Sequence, residues 1–127
     1  MSWQQYVDDS LIATGHVTSA VIIGHDGAMW AQSADLTAVT AAELSAIAAA
    51  SANPASVAGG KLTLAGIPYM VLRGDESTIY CRKGQTGLSI ARSNLAVIVG
   101  VYDEKIQAGD CNSAVEKLCD YLKENDY

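Results

Sequence analysis

The sequence predicts an α+β domain built around an antiparallel sheet, and three observations carry that expectation. The two ends of the chain show helical periodicity, whereas the middle is made of short apolar runs punctuated by turn residues. The connections between those runs are too short for anything but hairpins, which makes the sheet antiparallel. A chain of 127 residues, half of them apolar and 17% charged, is globular and of a size for one domain, residues 1–127, with a real core.

Each element has its own signal. The first helix is expected over residues 2–14, with Ser2 as its cap, Trp3, Tyr6, Val7, Ser10 and Leu11 at helical spacing, and Gly15 as its stop. Residues 20–23 read as a strand that turns at His25-Asp26-Gly27 into a second strand over residues 29–32. Thr40-Ala41-Ala42-Glu43 has capping-box spacing and opens an alanine-rich helix that Asn53-Pro54 stops. Five strands follow, at residues 61–64, 67–73, 78–82, 88–92 and 95–102, separated by Gly66, Gly74-Asp75, Gly84 to Gly87 and Ser93-Asn94. A closing helix begins near residues 110–113 and carries Val115, Leu118, Cys119 and Leu122 on one face. Together these give the α+β order of helix, hairpin, helix, strand meander and helix.

Composition excludes several function classes. Eight Lys and Arg stand against fourteen Asp and Glu, and a net charge of −6 argues against nucleic acid as a partner. The opening residues 2–9 are polar and acidic, unlike a secretory leader, and the longest apolar runs are far short of a membrane span. Three cysteines without C-x-x-C spacing fit a reducing compartment better than a disulfide framework, so the expected setting is the cytosol.

Nothing in the sequence argues for an enzyme, a cofactor or a metal site. There is no G-x-S-x-G motif, and His16 and His25, both near turns, read as solvated surface residues. The histidines and cysteines lack zinc-ligand spacing. Gly59-Gly60-Lys61 is no phosphate loop, because Ala55 replaces the first glycine and Leu62 the metal-binding hydroxyl. Gly84-Gln85-Thr86-Gly87 reads as a turn. The pairs Asp8-Asp9, Asp75-Glu76 and Asp103-Glu104 are adjacent in sequence, so their side chains diverge and do not share a site.

The aromatic residues are more telling, because they make up only 6% of the chain and include no phenylalanine. Trp3, Tyr6, Trp30, Tyr121 and Tyr127 come together if the two end helices pack beside the strand bearing Trp30. Tyr121 lies off the apolar stripe of its helix, and Tyr127 is the last residue of the sequence. A flat strip of such rings, each with an apolar face and a polar tip, suits an extended proline-rich peptide. Periodicity alone leaves Trp3 and Trp30 equally open to a core role.

These segments resemble the profilins from end to end. The resemblance rests on Ser2-Trp3-Gln4-x-Tyr6-Val7-Asp8, Gly24-x-Asp26-Gly27-x-x-Trp30-Ala31 and Leu64-Ala65-Gly66-x-x-Tyr69. It continues through Ser77-x-Ile79-Tyr80, Lys83-Gly84, Val101-Tyr102-x-Glu104 and Val115-Glu116-Lys117-Leu118-x-Asp120-Tyr121-Leu122. The chain is most similar to the short profilins of protists and plants. Two departures stand out: Ala108 precedes Gly109 where many relatives have proline, and charged residues 123–126 replace an apolar, glycine-rich tail.

The resemblance implies a central antiparallel sheet with the N- and C-terminal helices on one face and inner helices on the other. It implies a regulator of actin polymerisation that binds monomeric actin, promotes its nucleotide exchange and grips proline-rich segments of formin-type elongation factors. The implied proline-peptide site is Trp3, Tyr6, Trp30, Tyr121, Leu122 and Tyr127. The implied actin surface is Arg73, Arg82, Lys83, Gln107, Gly109, Asn112, Glu116 and Lys117. Phosphoinositide binding, which needs clustered cations, is expected to be weak here, with Arg82, Lys83 and Arg92 on adjacent strands as its candidates. The implied setting is the cytoplasm, in association with the cytoskeleton. The alternative reading is a proline-peptide adaptor with little or no actin binding.

Overall fold

The structure, a computed structural model, describes residues 2–34, 36 and 38–127. Among these, seven strands form one antiparallel sheet: β1 (Ser19–Gly24), β2 (Met29–Gln32), β3 (Lys61–Leu64), β4 (Ile67–Asp75), β5 (Thr78–Lys83), β6 (Thr86–Arg92) and β7 (Ala96–Tyr102). Their order is β2-β1-β7-β6-β5-β4-β3, so only the pairing of β1 with β7 joins strands distant in sequence. The helices α1 (Trp3–Gln5), α2 (Ala41–Ala52) and α3 (Ala108–Glu124) complete the frame.

Strand alternation splits the core into two layers. Ala20 and Ile22 of β1, with Ile98 of β7, pack against Val7, Leu11, Val115, Leu118 and Leu122 of the terminal helices. Val21, Ile23, Val97 and Val99 point the other way, toward Leu44 and Ile47 of α2. Central strands buried on both faces read as unbroken apolar runs, which is how 20–23 and 95–101 look in the sequence. Shortening a side chain such as Ile22 or Ile98 to alanine removes fully buried contacts and costs about 2–5 kcal/mol.

Small residues set how closely α3 approaches the sheet. A methyl group built on Gly100 would lie 2.6 Å from Cγ2 of Val115, so this glycine lets the helix settle onto β7. Across the sheet, the β3–β4 turn is clamped by α2. Glu43 accepts from the Thr40 amide at 2.9 Å, closing the capping box, and from the amides of Ala65 at 3.1 Å and Gly66 at 2.8 Å. Its partial burial alone would raise its pKa, but these donors and the Thr40 hydroxyl outweigh that and hold the carboxyl below its ordinary value.

Two sequence expectations are corrected. The first helix is not a regular α-helix: after α1 the chain widens into a π-helical stretch, Tyr6–Leu11, then tightens into a 3-10 turn, Ile12–Thr14, closed by Gly15 at φ 78°. Helical periodicity cannot separate these forms, because both keep Tyr6, Val7 and Leu11 facing the core. The last helix starts at Ala108 rather than near residues 110–113, and its Gln107 cap makes no side-chain cap bond. Its true start therefore left no cap signature in the sequence. No helix among the described residues is long and apolar enough to cross a membrane.

Candidate binding surfaces

The aromatic residues form one connected cluster, and the first turn of the chain explains why. Ser2 Oγ accepts from the Gln5 amide at 3.1 Å while Gln5 Oε1 accepts from the Ser2 amide at 2.8 Å. This capping box fixes Trp3 as the first helical residue. Gln4 Nε2 then donates to the Gln32 carbonyl at 2.9 Å and ties the helix to β2, the strand that carries Trp30.

Trp3 is the hub that results. Its ring centroid lies 4.8 Å from Trp30, 5.6 Å from Tyr6 and 6.0 Å from Tyr127, the last pair edge-to-face. Tyr6 in turn lies 6.1 Å from Tyr121. These separations fall in the range of favourable aromatic pairing. Trp30, Tyr121 and Tyr127 are 38%, 47% and 45% exposed, so the cluster presents ring faces to solvent.

Two members of the implied site lie deeper. Tyr6 is only 5% exposed, and burial, helped by Tyr121 beside it, pushes the pKa of its hydroxyl up. Leu122 is fully buried among Val7, Leu11 and Leu118, so it supports the strip from below and offers a peptide no surface. The off-stripe position of Tyr121 is what keeps that ring outside.

Tyr127 is held by the end of α3. The Asp126 amide donates to the Lys123 carbonyl at 3.2 Å and the Tyr127 amide to the Leu122 carbonyl at 2.8 Å, with Asp126 left-handed at φ 65°. That is a Schellman ending, with aspartate where glycine is usual. The Tyr127 carbonyl also accepts from Ser93 Oγ at 3.0 Å and from the Leu95 amide. Ser93 is tied by its own carbonyl to Nε2 of His25 at 2.9 Å. His25, expected as a solvated residue, is thus a half-buried structural link.

A second surface lies on the same side of the sheet. The helix α3 packs chiefly on β6 and β7 and leaves much of this side of β4 exposed. Met70 and Leu72 are 54% and 57% exposed there, and Met70 sits opposite Arg82 in register. A bulge between Val71 and Arg73 pairs Arg73 with Tyr80. Arg73 also meets Asp75 at 3.1 Å, an ion pair too exposed to add much stability.

The sheet and α3 are joined by Tyr80, whose hydroxyl donates to Glu116 at 2.7 Å. Burial, and then this bond to a carboxylate, pushes the Tyr80 pKa up. Arg82 and Gln107 line one hollow of about 250 Å³, with Tyr102 and Glu104 between them. Gly109 lies in the first turn of α3 and half-buried Asn112 one turn before Glu116. Tyr80 thus links Arg73 to Glu116, while Arg82 shares one hollow with Gln107 and another with Lys83.

Two implied groupings do not form. Lys117 lines the groove between the terminal helices with Tyr6 and Tyr121, not the face of Glu116. Arg92 is remote from Arg82 and Lys83, because Lys83 pairs with Thr86 at the hairpin turn while Arg92 ends β6 at the far end. Arg92 also faces the opposite layer, donating to Ser51 Oγ of α2 at 2.9 Å. The expected phosphoinositide cluster of Arg82, Lys83 and Arg92 is thus dispersed.

The sequence reading missed Met70 and Leu72. Their signal was the flanking pair Tyr69 and Val71, which claim one face of β4 and send Met70 to the other.

The chain matches, over residues 1–127, the family model described as Profilin. It is 48% identical over 122 residues to Profilin-1B of Acanthamoeba castellanii, covering 96% of each chain. The solved structure of Acanthamoeba castellanii profilin IB superposes with a TM-score of 0.93 at 45% identity, covering 99% of this chain and 100% of that one. The fold is also shared with mouse profilin IIa in complex with a double repeat from the FH1 domain of mDia1. That likeness has a TM-score of 0.75 at 20% identity and covers 100% of both chains.

Proposed function

This chain belongs to the profilin family, and from that premise we propose that it is an actin-monomer-binding regulator that also grips proline-rich segments. One observation carries the reading: the rings of Trp30, Trp3, Tyr6, Tyr121 and Tyr127 are linked at 4.8–6.1 Å while the cation-bearing face of β4, β5 and α3 stays open elsewhere. Two separate surfaces allow two partners at once.

On the open face, Met70 and Leu72 supply an apolar centre, and Arg73, Arg82 and Lys83 surround it. An acidic partner surface, as on an actin monomer, complements those charges, while Gln107, Gly109, Asn112 and Glu116 provide a polar rim. Speeding nucleotide exchange on the bound monomer follows from differential binding: the face need only fit the open-cleft form of actin better than the closed one.

On the strip, the clustered, mutually tilted rings suit the preformed left-handed polyproline helix, whose prolines offer ring faces and unpaired carbonyls. Each contact is weak, and repeated tracts on one partner raise the effective concentration. A formin-type elongation factor is such a partner. The mechanism is binding without chemistry, in the cytoplasm, and the acidic balance of the chain, with Arg92 remote from Arg82 and Lys83, keeps phosphoinositide binding weak.

The experiment is spontaneous assembly of pyrene-labelled actin with increasing protein, followed by capture of the mixture on polyproline beads. The reading expects slowed nucleation and actin retained on the beads through this protein. Retention of the protein without actin, and unchanged assembly, would leave only the proline-peptide adaptor.

A further inference from the structure

The aromatic strip does not end at Tyr121. A groove of about 390 Å³ runs on between the N-terminal helical segment and α3, lined by Tyr6, Ser10, Ala114, Lys117, Leu118 and Tyr121. Tyr6 and Tyr121 belong to both strip and groove, so the two are continuous. The lining is mainly apolar, with the hydroxyls of Ser10 and Thr14 and a single charge. Lys117 is its sole charged residue, is exposed, and among the described residues has no ion-pair partner. It stands one turn before Tyr121 on α3, with Ala114 nearly a turn farther on, so the one charge lies part-way along the groove.

We infer that the peptide site continues into this groove as far as Lys117, which takes an acidic side chain flanking the proline tract. The inference rests on the proline-binding reading of the strip. Geometry sets the spacing. From Trp30 to Tyr121 the ring-to-ring steps are 4.8, 5.6 and 6.1 Å, a path that about five residues of polyproline helix span at ~3.1 Å each. Lys117 lies one turn before Tyr121 on α3, about 6 Å along the helix axis, or about two further residues of extended peptide. The acid therefore belongs about two residues beyond the gripped prolines. Charge makes the choice of partner: an acidic flank pairs with Lys117, and a basic flank is repelled. The flank also fixes which way the peptide runs, a choice that stacking alone leaves nearly degenerate.

The test compares tryptophan-fluorescence titrations of the whole protein with four octaproline peptides. One has neutral flanks, one has Glu about two residues beyond the N-terminal proline, one has it beyond the C-terminal proline, and one has Lys at both places. One of the two Glu peptides is expected to bind about two- to fivefold tighter than the neutral one, as an exposed ion pair allows. The gain should vanish near 1 M salt. It should also be absent in Lys117→Ala and pass to the Lys peptide in Lys117→Glu, with circular dichroism showing both variants folded. Equal affinities across the four peptides, or a gain that survives Lys117→Ala, would overturn the extension and leave the strip intact. Failure of the neutral peptide to bind would overturn the strip reading and the extension together. Self-association that fills the groove would appear as concentration-dependent fluorescence without peptide, and also counts against it.

Discussion

Trp30 rests on the bare α-carbon of Gly24: a methyl group placed there would lie 2.9 Å from Cζ2 of the indole. The two residues flank the β1–β2 hairpin, so the turn itself orients the ring that meets Trp3. Gly24→Ala should tilt Trp30 away from Trp3 without opening the sheet. An aromatic pair is worth about 0.5–1.5 kcal/mol, so proline-peptide affinity should fall about two- to tenfold. A titration of the variant showing native affinity would mean that Trp30 does not contribute to the site.

Asp126 holds a left-handed conformation that suits glycine and strains a β-branched side chain. Asp126→Val should unwind the end of α3 and release Tyr127 from Trp3, at a stability cost of about 1 kcal/mol. Proline-peptide affinity should fall while actin binding stays as in the parent. Urea unfolding and the two binding assays, run side by side, check this.

Glu43 links stability to pH. Its carboxyl titrates below the ordinary value of 4.5 in the folded protein. Its contribution is therefore fully present above that value and disappears as pH falls through the lower folded value. Glu43→Gln should cost about 1 kcal/mol at pH 7, a modest figure because the carboxylate is partly open to water. The gap between variant and parent should close in acid. Urea midpoints at neutral and acid pH measure it, and a gap independent of pH would show that the amide serves as well as the carboxylate.

The thiols should be inert in the native state. Burial pushes Cys81 and Cys111 up to about 12 and raises Cys119 as well. Thiolate is the reactive form, so a disulfide reagent should label the folded protein slowly and the denatured protein at once. Cys119, which borders a separate hollow between α3 and the β4–β5 turn beside Glu116 and Asp120, should react first. Rapid labelling of one thiol before unfolding would contradict the buried placement.

Much of the fold was legible because its determinants are local. The Asp26-Gly27 turn, the Thr40–Glu43 capping box and the strand at Lys61–Leu64 all announce themselves within a few residues. The π-helical widening at Tyr6–Leu11 was not legible, since its inward residues also satisfy an α-helix. Sequence alone proposed the ring cluster and set Tyr121 off the apolar stripe that Leu122 helps define, yet it could not tell how deep Tyr6 and Leu122 lie beneath the strip. Burial depends on how α3 is rotated against β6 and β7, a tertiary fact that Gly100 and Val115 determine. The supposed cluster of Arg82, Lys83 and Arg92 failed for a related reason. Adjacency of strands says nothing of which end of a hairpin a residue occupies, and register decides it.

The measurement that bears most directly on the central claim is a poly-L-proline titration followed by intrinsic tryptophan fluorescence, with a charged, proline-free peptide as control. Trp3 and Trp30, the two tryptophans of the chain, pack with ring centroids 4.8 Å apart and planes tilted by 43° within the proposed site, so reporter and site coincide. A saturable change with proline alone is the expected result. No change, in protein shown to be folded, would mean that the rings only pack against one another and that the strip binds no such peptide.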